Sequence, residues 1–179
     1  MEKSRAILIR RYRFSETSLV CVWITDRHGK VKTSARGALQ PKSPFRGKLD
    51  LFFDNDIAFD PPRTGDLNSL REAVIRHPFD GLGTQYANLS TASYFGDLTD
   101  LATESGAPAD DIFDLLERAV TYLRRTPSNL RAIAHFETSL CRVIGIYSES
   151  GDPLHTLASH CGRIPKTRAQ ALKALATPS

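Results

Sequence analysis

Residues 19–48, LVCVWITDRHGKVKTSARGALQPKSPFRGK, decide the fold. Leu19 to Ile24 is an apolar run rich in β-formers, too continuous for an exposed strand and therefore read as a buried one. Asp26-Arg27-His28-Gly29 is a turn in which Gly29 can take positive φ. From Lys30 the chain alternates. Lys30, Lys32, Ser34 and Arg36 share one face, and Val31, Thr33 and Ala35 the other. Pro41, Pro44 and Gly47 then break the pattern into a mobile loop that carries Lys42, Arg46 and Lys48 around one aromatic, Phe45. Residues 30–48 hold six Lys or Arg and no Asp or Glu. A basic strand feeding a basic loop suits a polyanion laid across a sheet, because phosphates meet cations and unstacked bases lie on an aromatic face. A solvated edge strand whose lysines deter edge-to-edge pairing gives the same pattern. Both readings stay open on these residues alone.

On either side of this stretch the chain reads first as strands. Ala6 to Ile9, Leu49 to Phe53 with alternating Asp50 and Asp54, Ile57 to Phe59, and Leu70 to Ile75 are short β-type runs. Together with the central pair they predict a small closed or nearly closed barrel. From Tyr86 the period becomes helical. Tyr94, Phe95, Leu98, Leu101 and Ala102 form one stripe, ended by Gly106 and Pro108. Asp110 opens a second helix with Ile112, Leu116, Ala119, Val120 and Leu123 on one face. Its acids come first and Arg124-Arg125 last, as the helix dipole favours. Pro127-Ser128 restarts the chain into a helix of Ile133, Phe136, Leu140, Val143 and Ile144. Asp152-Pro153 opens a short fourth helix stopped by Gly162, and a fifth begins near Thr167. The expected class is α+β, with a β-barrel domain over 1–80 and an all-helical domain over 81–179. HPFDGLG, residues 77–83, is the connector.

The 179 residues are enough for a sizeable core, and 41% hydrophobic with 25% charged residues is ordinary for a globular chain. The net charge of +4 conceals a strong asymmetry. Residues 1–48 carry 12 Lys or Arg against 3 acids, 49–117 carry 3 against 14, and 118–179 carry 9 against 3. Such a distribution points to an anionic partner for the two basic ends. Cys21, Cys141 and Cys161 are odd in number and widely spaced, which argues against a disulfide framework or a Cys-type zinc site. The opening MEKSRAILIRRYR has too short an apolar run for a signal peptide, and no run reaches membrane-span length. A reduced, cytoplasmic protein without membrane contact is expected.

Catalytic chemistry finds little support. His155, His160 and Cys161 are close in sequence, but neighbours on a helix point about 100° apart, so His160 is poorly placed to activate Cys161. A five-residue step between the histidines suits a shared metal poorly. Asp54 with Asp56, and Asp110 with Asp111, fit turns and helix starts. No phosphate-cradling glycine loop, HExxH or GxSxG occurs. No catalytic residue, metal ligand or cofactor is assigned. Arg10, Arg11 and Arg13 surround Tyr12 and precede Phe14, a pattern open to phosphate contact with base stacking. An inward packing of Phe14 and Trp23 is preferred, and Tyr12 is left undecided. Phe45, in its Pro-bounded loop, is the better stacking candidate. Arg163, Lys166, Arg168 and Lys173 in RIPKTRAQALK are either solubilising or a second basic patch.

The order of these features resembles the RecO family of bacterial recombination mediators. ILIRRYRFSETSLVCVWITDRHGKVKTSARGA carries Glu16, Gly29 and Ala35-Arg36-Gly37-Ala38 in the family's places. Gly47-Lys48-Leu49, LREAVIRHPF, Gly145-Ile146-Tyr147 and HCGRIPKTRAQALKAL follow in order. The resemblance implies an N-terminal OB-fold, a helical C-terminal domain and no catalytic activity. It implies binding of single- and double-stranded DNA, annealing of complementary strands, and cooperation with RecR and SSB in loading RecA, in the cytoplasm at the nucleoid. Many members carry a Cys-rich zinc module after the Gly-Tyr helix end. Only Ser148 to Ser159 lies there in this chain, as in a compact, zinc-free form.

The expected DNA contacts are Arg10, Arg11, Arg13, Lys30, Lys32, Arg36, Lys42, Phe45, Arg46, Lys48, Arg163, Lys166, Arg168 and Lys173. The C-terminal basic helix is expected either to extend the basic surface of residues 30–48 or to hold the acidic tail of SSB, the latter with an apolar groove beside Arg124, Arg125 or Arg131. An OB-type RNA-binding module, a protein-only adaptor and a thiol enzyme using Cys161 are the rival readings.

Overall fold

The computed structural model describes residues 1–80, 85–107 and 110–177. Its strands are β1 (Glu2–Arg13), β2 (Leu19–Thr25), β3 (Gly29–Ala35), β4 (Asp54–Asp60) and β5 (Leu67–His77). They close a barrel in the order β1-β2-β3-β5-β4, with β4 returning to β1. Only β3 and β5 run parallel. This is the topology of an OB-fold. β3 lies between β2 and β5, so the solvated-edge reading of the basic strand is overturned.

Alternation sorts the barrel's side chains as period two requires. Leu8, Cys21, Trp23, Val31, Ile57 and Phe59 point inward and are buried, and the inward packing expected of Trp23 holds. Its indole Nε1 donates to Thr33 Oγ1 at 2.9 Å, which satisfies the one polar atom the ring brings inside. Burial pushes the Cys21 thiol up to about 12. Gly29 has φ +62°, and a Cβ there would stand 1.8 Å from the carbonyl oxygen of Ala107. The turn conformation and this close approach both require glycine.

Two expectations fail between β3 and β4. Leu49 to Phe53 is not a strand. The chain there turns at Leu51 and Phe52, and Phe52, buried at φ +64°, donates its amide hydrogen to the Leu8 carbonyl at 2.7 Å while the Leu8 amide donates to the Phe53 carbonyl at 3.2 Å. Nor is Asp54 a turn acid. Its carboxylate is 1% exposed, with Arg5 Nη2 2.7 Å and His77 Nδ1 3.0 Å from Oδ2. Burial pushes this carboxyl up, but hydrogen bonds from Arg5 and His77 and their charges outweigh it and hold it below the usual range. The Arg5 guanidinium also lies 5.4 Å over the Phe113 ring.

The helices are α1 (Tyr86–Ala102), α2 (Asp110–Arg125), α3 (Leu130–Val143), α4 (Pro153–Cys161) and α5 (Thr167–Ala176). Two compact units result, Met1–Phe79 with Thr103–Phe113, and Asp80–Ala102 with Asp114–Ser179. Thr103–Phe113, which the sequence places in the helical region, therefore belongs with the barrel. Gly81 to Gly83 of the expected connector, and Pro108, lie outside the described residues.

Caps follow local chemistry. Asn129 accepts from the Ala132 amide at the start of α3, Asp152 caps α4 ahead of Pro153, and Gly162 ends α4 in the left-handed region. Asn88, buried on α1, donates to the carbonyls of Leu123 and Thr126 and so closes the end of α2. Inside the helical unit Tyr94, Phe95, Leu98, Leu116, Leu123, Phe136 and Leu140 are buried. Phe95 stacks on Phe136 at 4.0 Å between centroids. Glu137, buried on α3, accepts from the Tyr94 hydroxyl at 2.8 Å and from Arg168 Nε at 2.7 Å. This polar triad fastens α1, α3 and α5 together.

Candidate nucleic-acid interface

A β-bulge sets the geometry of the first basic cluster. Leu8 pairs with Trp23 but Arg10 pairs with Val22, so Ile9 is the extra residue. The bulge exchanges the faces of β1. Beyond it Arg11 and Arg13 align with inward-facing Cys21 and Leu19, while Arg10 and Tyr12 align with outward-facing Val22 and Val20. Arg11 therefore reaches back over the barrel mouth, donates to the Leu49 carbonyl and lies 3.1 Å from Asp50. It holds the loop although its side chain is 42% exposed, and Arg10 and Arg13 are exposed as well.

That loop is wound from overlapping turns. Amides of Ala38, Gln40, Ser43, Arg46 and Lys48 each donate to the carbonyl three residues earlier. The winding turns Phe45 and Leu49 into the barrel core, at 7% and 4% exposure. Phe45 is thus corrected from stacking platform to core plug: consecutive turns bury the ring that Pro and Gly spacing left in an open loop. Arg36, Lys42 and Arg46 remain exposed and Lys48 half-buried. Arg46 Nη1 donates to the Pro41 carbonyl at 3.2 Å. Arg11, Leu39, Pro41, Arg46 and Leu49 border a cleft of 420 Å³ at the mouth.

On β3, Lys30 and Lys32 face outward and are half-buried, but Ser34 is buried and Arg36 lies past the strand end. The four-residue polar face is therefore shorter than expected. Lys32 Nζ pairs with Asp66 at 3.0 Å. Its hydrogen bond and charge hold the exposed Asp66 carboxyl below the usual range, in a contact that solvent weakens. Phe14, expected to pack inward, is 63% exposed, and Tyr12 is 48% exposed. The bulge is the reason: it turns both to the outside at the end of the hairpin.

In the helical unit Arg163, Lys166 and Lys173 are exposed. Arg168 is not available to a ligand in the same way, since its side chain is 24% exposed and bonded to buried Glu137. A groove of 510 Å³ has Phe95, Leu115 and Phe136 on its floor and Arg118, Arg131 and His135 on its rim. Of the arginines expected beside such a groove, Arg131 is there. Burial pushes the Cys161 thiol up, against what a nucleophile needs. Among the described residues no group of three or more His, Cys, Asp or Glu could hold a metal, and no helix is long and apolar enough to cross a membrane.

Comparison with known proteins gives two adjacent matches. Residues 1–79 match the family model described as "Recombination protein O N terminal", and residues 83–150 match "Recombination protein O C terminal". Curated relatives carry the description "DNA repair protein RecO". The protein from Rhodopirellula baltica is 27% identical over 158 residues, 88% of this chain and 57% of the relative. That from Halalkalibacterium halodurans is 29% identical over 149 residues, 82% of this chain and 57% of the relative. That from Acaryochloris marina is 29% identical over 122 residues, 68% and 41% respectively. The chain thus spans about half the length of the curated relatives it matches.

Proposed function

Since this chain belongs to the recombination protein O family, we propose that it serves recombinational DNA repair as a DNA-binding mediator rather than as an enzyme. One observation carries the reading: Arg10, Arg13, Arg36, Lys42 and Arg46 are all exposed on a barrel stretch whose loop holds no acid between Lys30 and Lys48. Cations spaced along a loop neutralise phosphates without reading bases, so binding has little sequence preference and weakens steeply with salt. Annealing follows from the same physics. Two strands whose charges are screened approach each other, and their bases remain free to pair.

Single- and double-stranded DNA are the proposed ligands, with RecR and SSB as partners and RecA loading as the outcome. The groove of the helical unit supports the SSB contact, because an apolar floor under two arginines suits a peptide that is apolar at one point and acidic around it. Annealing of complementary labelled oligonucleotides, read by energy transfer, tests both parts together. The chain is expected to accelerate annealing of bare strands and of SSB-covered strands at low salt. Arg118→Glu with Arg131→Glu is expected to abolish only the second acceleration. No acceleration on bare strands sinks the mediator reading, and an unaffected double variant removes the groove from it.

A further inference from the structure

The ring expected to stack on bases is inside the barrel, yet two other aromatics stand outside it on the same basic segment. Tyr12 and Phe14 are 48% and 63% exposed. Tyr12 pairs with Val20, and the Phe14 amide donates to the Ser18 carbonyl at 2.9 Å, which continues the β1–β2 hairpin to its loop. Past the Ile9 bulge, Arg10, Tyr12 and Phe14 therefore occupy successive outward positions. Positions two apart on a strand are separated by roughly 6.6–6.8 Å, so the rings form two platforms rather than one stack. The hairpin is tied to the neighbouring loop by the Leu39 amide, which donates to the Thr17 carbonyl at 2.9 Å. A single exposed aromatic needs no explanation, but two on adjacent outward positions make a patch.

The charge around the patch selects the occupant. Arg10 precedes it on the same face, Arg13 is exposed at the strand end from the opposite face, and Glu16 is the one acid of the hairpin loop, while Lys42 and Arg46 lie on the neighbouring loop that Leu39 ties to the hairpin. An apolar peptide would gain nothing from these cations. A single-stranded nucleic acid uses both features, because its bases offer π-faces to the rings and its phosphates face the cations.

Resting on the DNA-binding reading above, we propose that Tyr12 and Phe14 form the base-stacking platform of this barrel and give it preference for single strands. Bases in a duplex are already stacked on one another and cannot lie on these rings. The cations serve either ligand, whereas the rings serve only unpaired bases.

Fluorescence anisotropy with labelled oligo-dT and with a duplex of equal length tests the assignment. Tyr12→Ala and Phe14→Ala should each weaken oligo-dT binding about 5- to 150-fold, the range typical of a lost base–aromatic stack. Duplex affinity and the salt dependence should stay at the native values. Phe14→Trp should retain affinity and show fluorescence quenched by oligo-dT, against the signal of buried Trp23 in the native chain. Unchanged oligo-dT binding by the alanine variants, or equal losses on duplex, overturns the platform while the DNA reading stands. A native chain that binds neither DNA at low salt overturns both.

Discussion

Replacing Arg168 with alanine should cost the helical unit about 3–5 kcal/mol, because Glu137 then stays buried without its cation. The carboxylate is 6% exposed and the guanidinium 24%, at a separation of 2.7 Å, so solvent does little to soften the loss. The Tyr94 hydroxyl, whose ionisation burial and Glu137 push well above its usual range, can donate one hydrogen bond but no charge. Urea unfolding read in the helical signal measures the cost as a lower midpoint. Removing all three polar partners in Tyr94→Phe, Glu137→Leu, Arg168→Met should recover most of the stability, since no group is then left unpaired. An Arg168→Ala variant as stable as the native chain would contradict the triad. Loss of DNA affinity in a still-folded variant would return Arg168 to the interface.

Removing Asp54 should unsettle the barrel by a similar amount. Asp54→Ala leaves Arg5 between β1 and β4 without the carboxylate that its bidentate contact and His77 share, at about 3–5 kcal/mol. The same group sets a pH dependence whose sign is fixed. A carboxyl held lower in the folded state than its unfolded value of about 3.9 contributes stability that is complete above that value. The contribution is lost as pH falls through the folded value. Thermal unfolding of the native chain and Asp54→Asn should therefore differ most near neutral pH, and the gap should close in acid below about pH 4. A gap that stays constant down to pH 2 would show that the Asp54 charge is not what holds the strands.

What the sequence made legible is what is decided within a few residues. Trp23 in a continuous apolar run, Gly29 in a four-residue turn, Asp152-Pro153 ahead of a helix and Gly162 behind it all behave as their local chemistry requires. What it hid depends on register. The inserted Ile9 reverses the faces of β1, so Arg11 turns to the loop and Phe14 to solvent, although simple alternation predicts otherwise. Arg5, Asp54 and His77 meet only once β1, β4 and β5 are paired, and no spacing announces a contact across 49 residues. Phe45 misled for a related reason. Pro44 and Gly47 mark irregular backbone, which does not imply exposure, because a succession of turns carries a ring inward as well as a strand does. The pairing of Arg168 with buried Glu137 likewise depends on α5 and α3 being brought together.

If the loop cations of the barrel hold DNA, the salt dependence of single-strand affinity must fall when they are removed. Native chain, the Lys42→Ala, Arg46→Ala, Lys48→Ala variant and an Arg163→Ala, Lys166→Ala, Lys173→Ala variant are compared by anisotropy. With about 0.7 of slope lost per phosphate contact on a single strand, the barrel variant should show a slope of log affinity against log salt shallower by about 2. A native slope in the barrel variant, with the loss appearing instead in the Arg163, Lys166 and Lys173 variant, would contradict this and move the DNA to the helical unit.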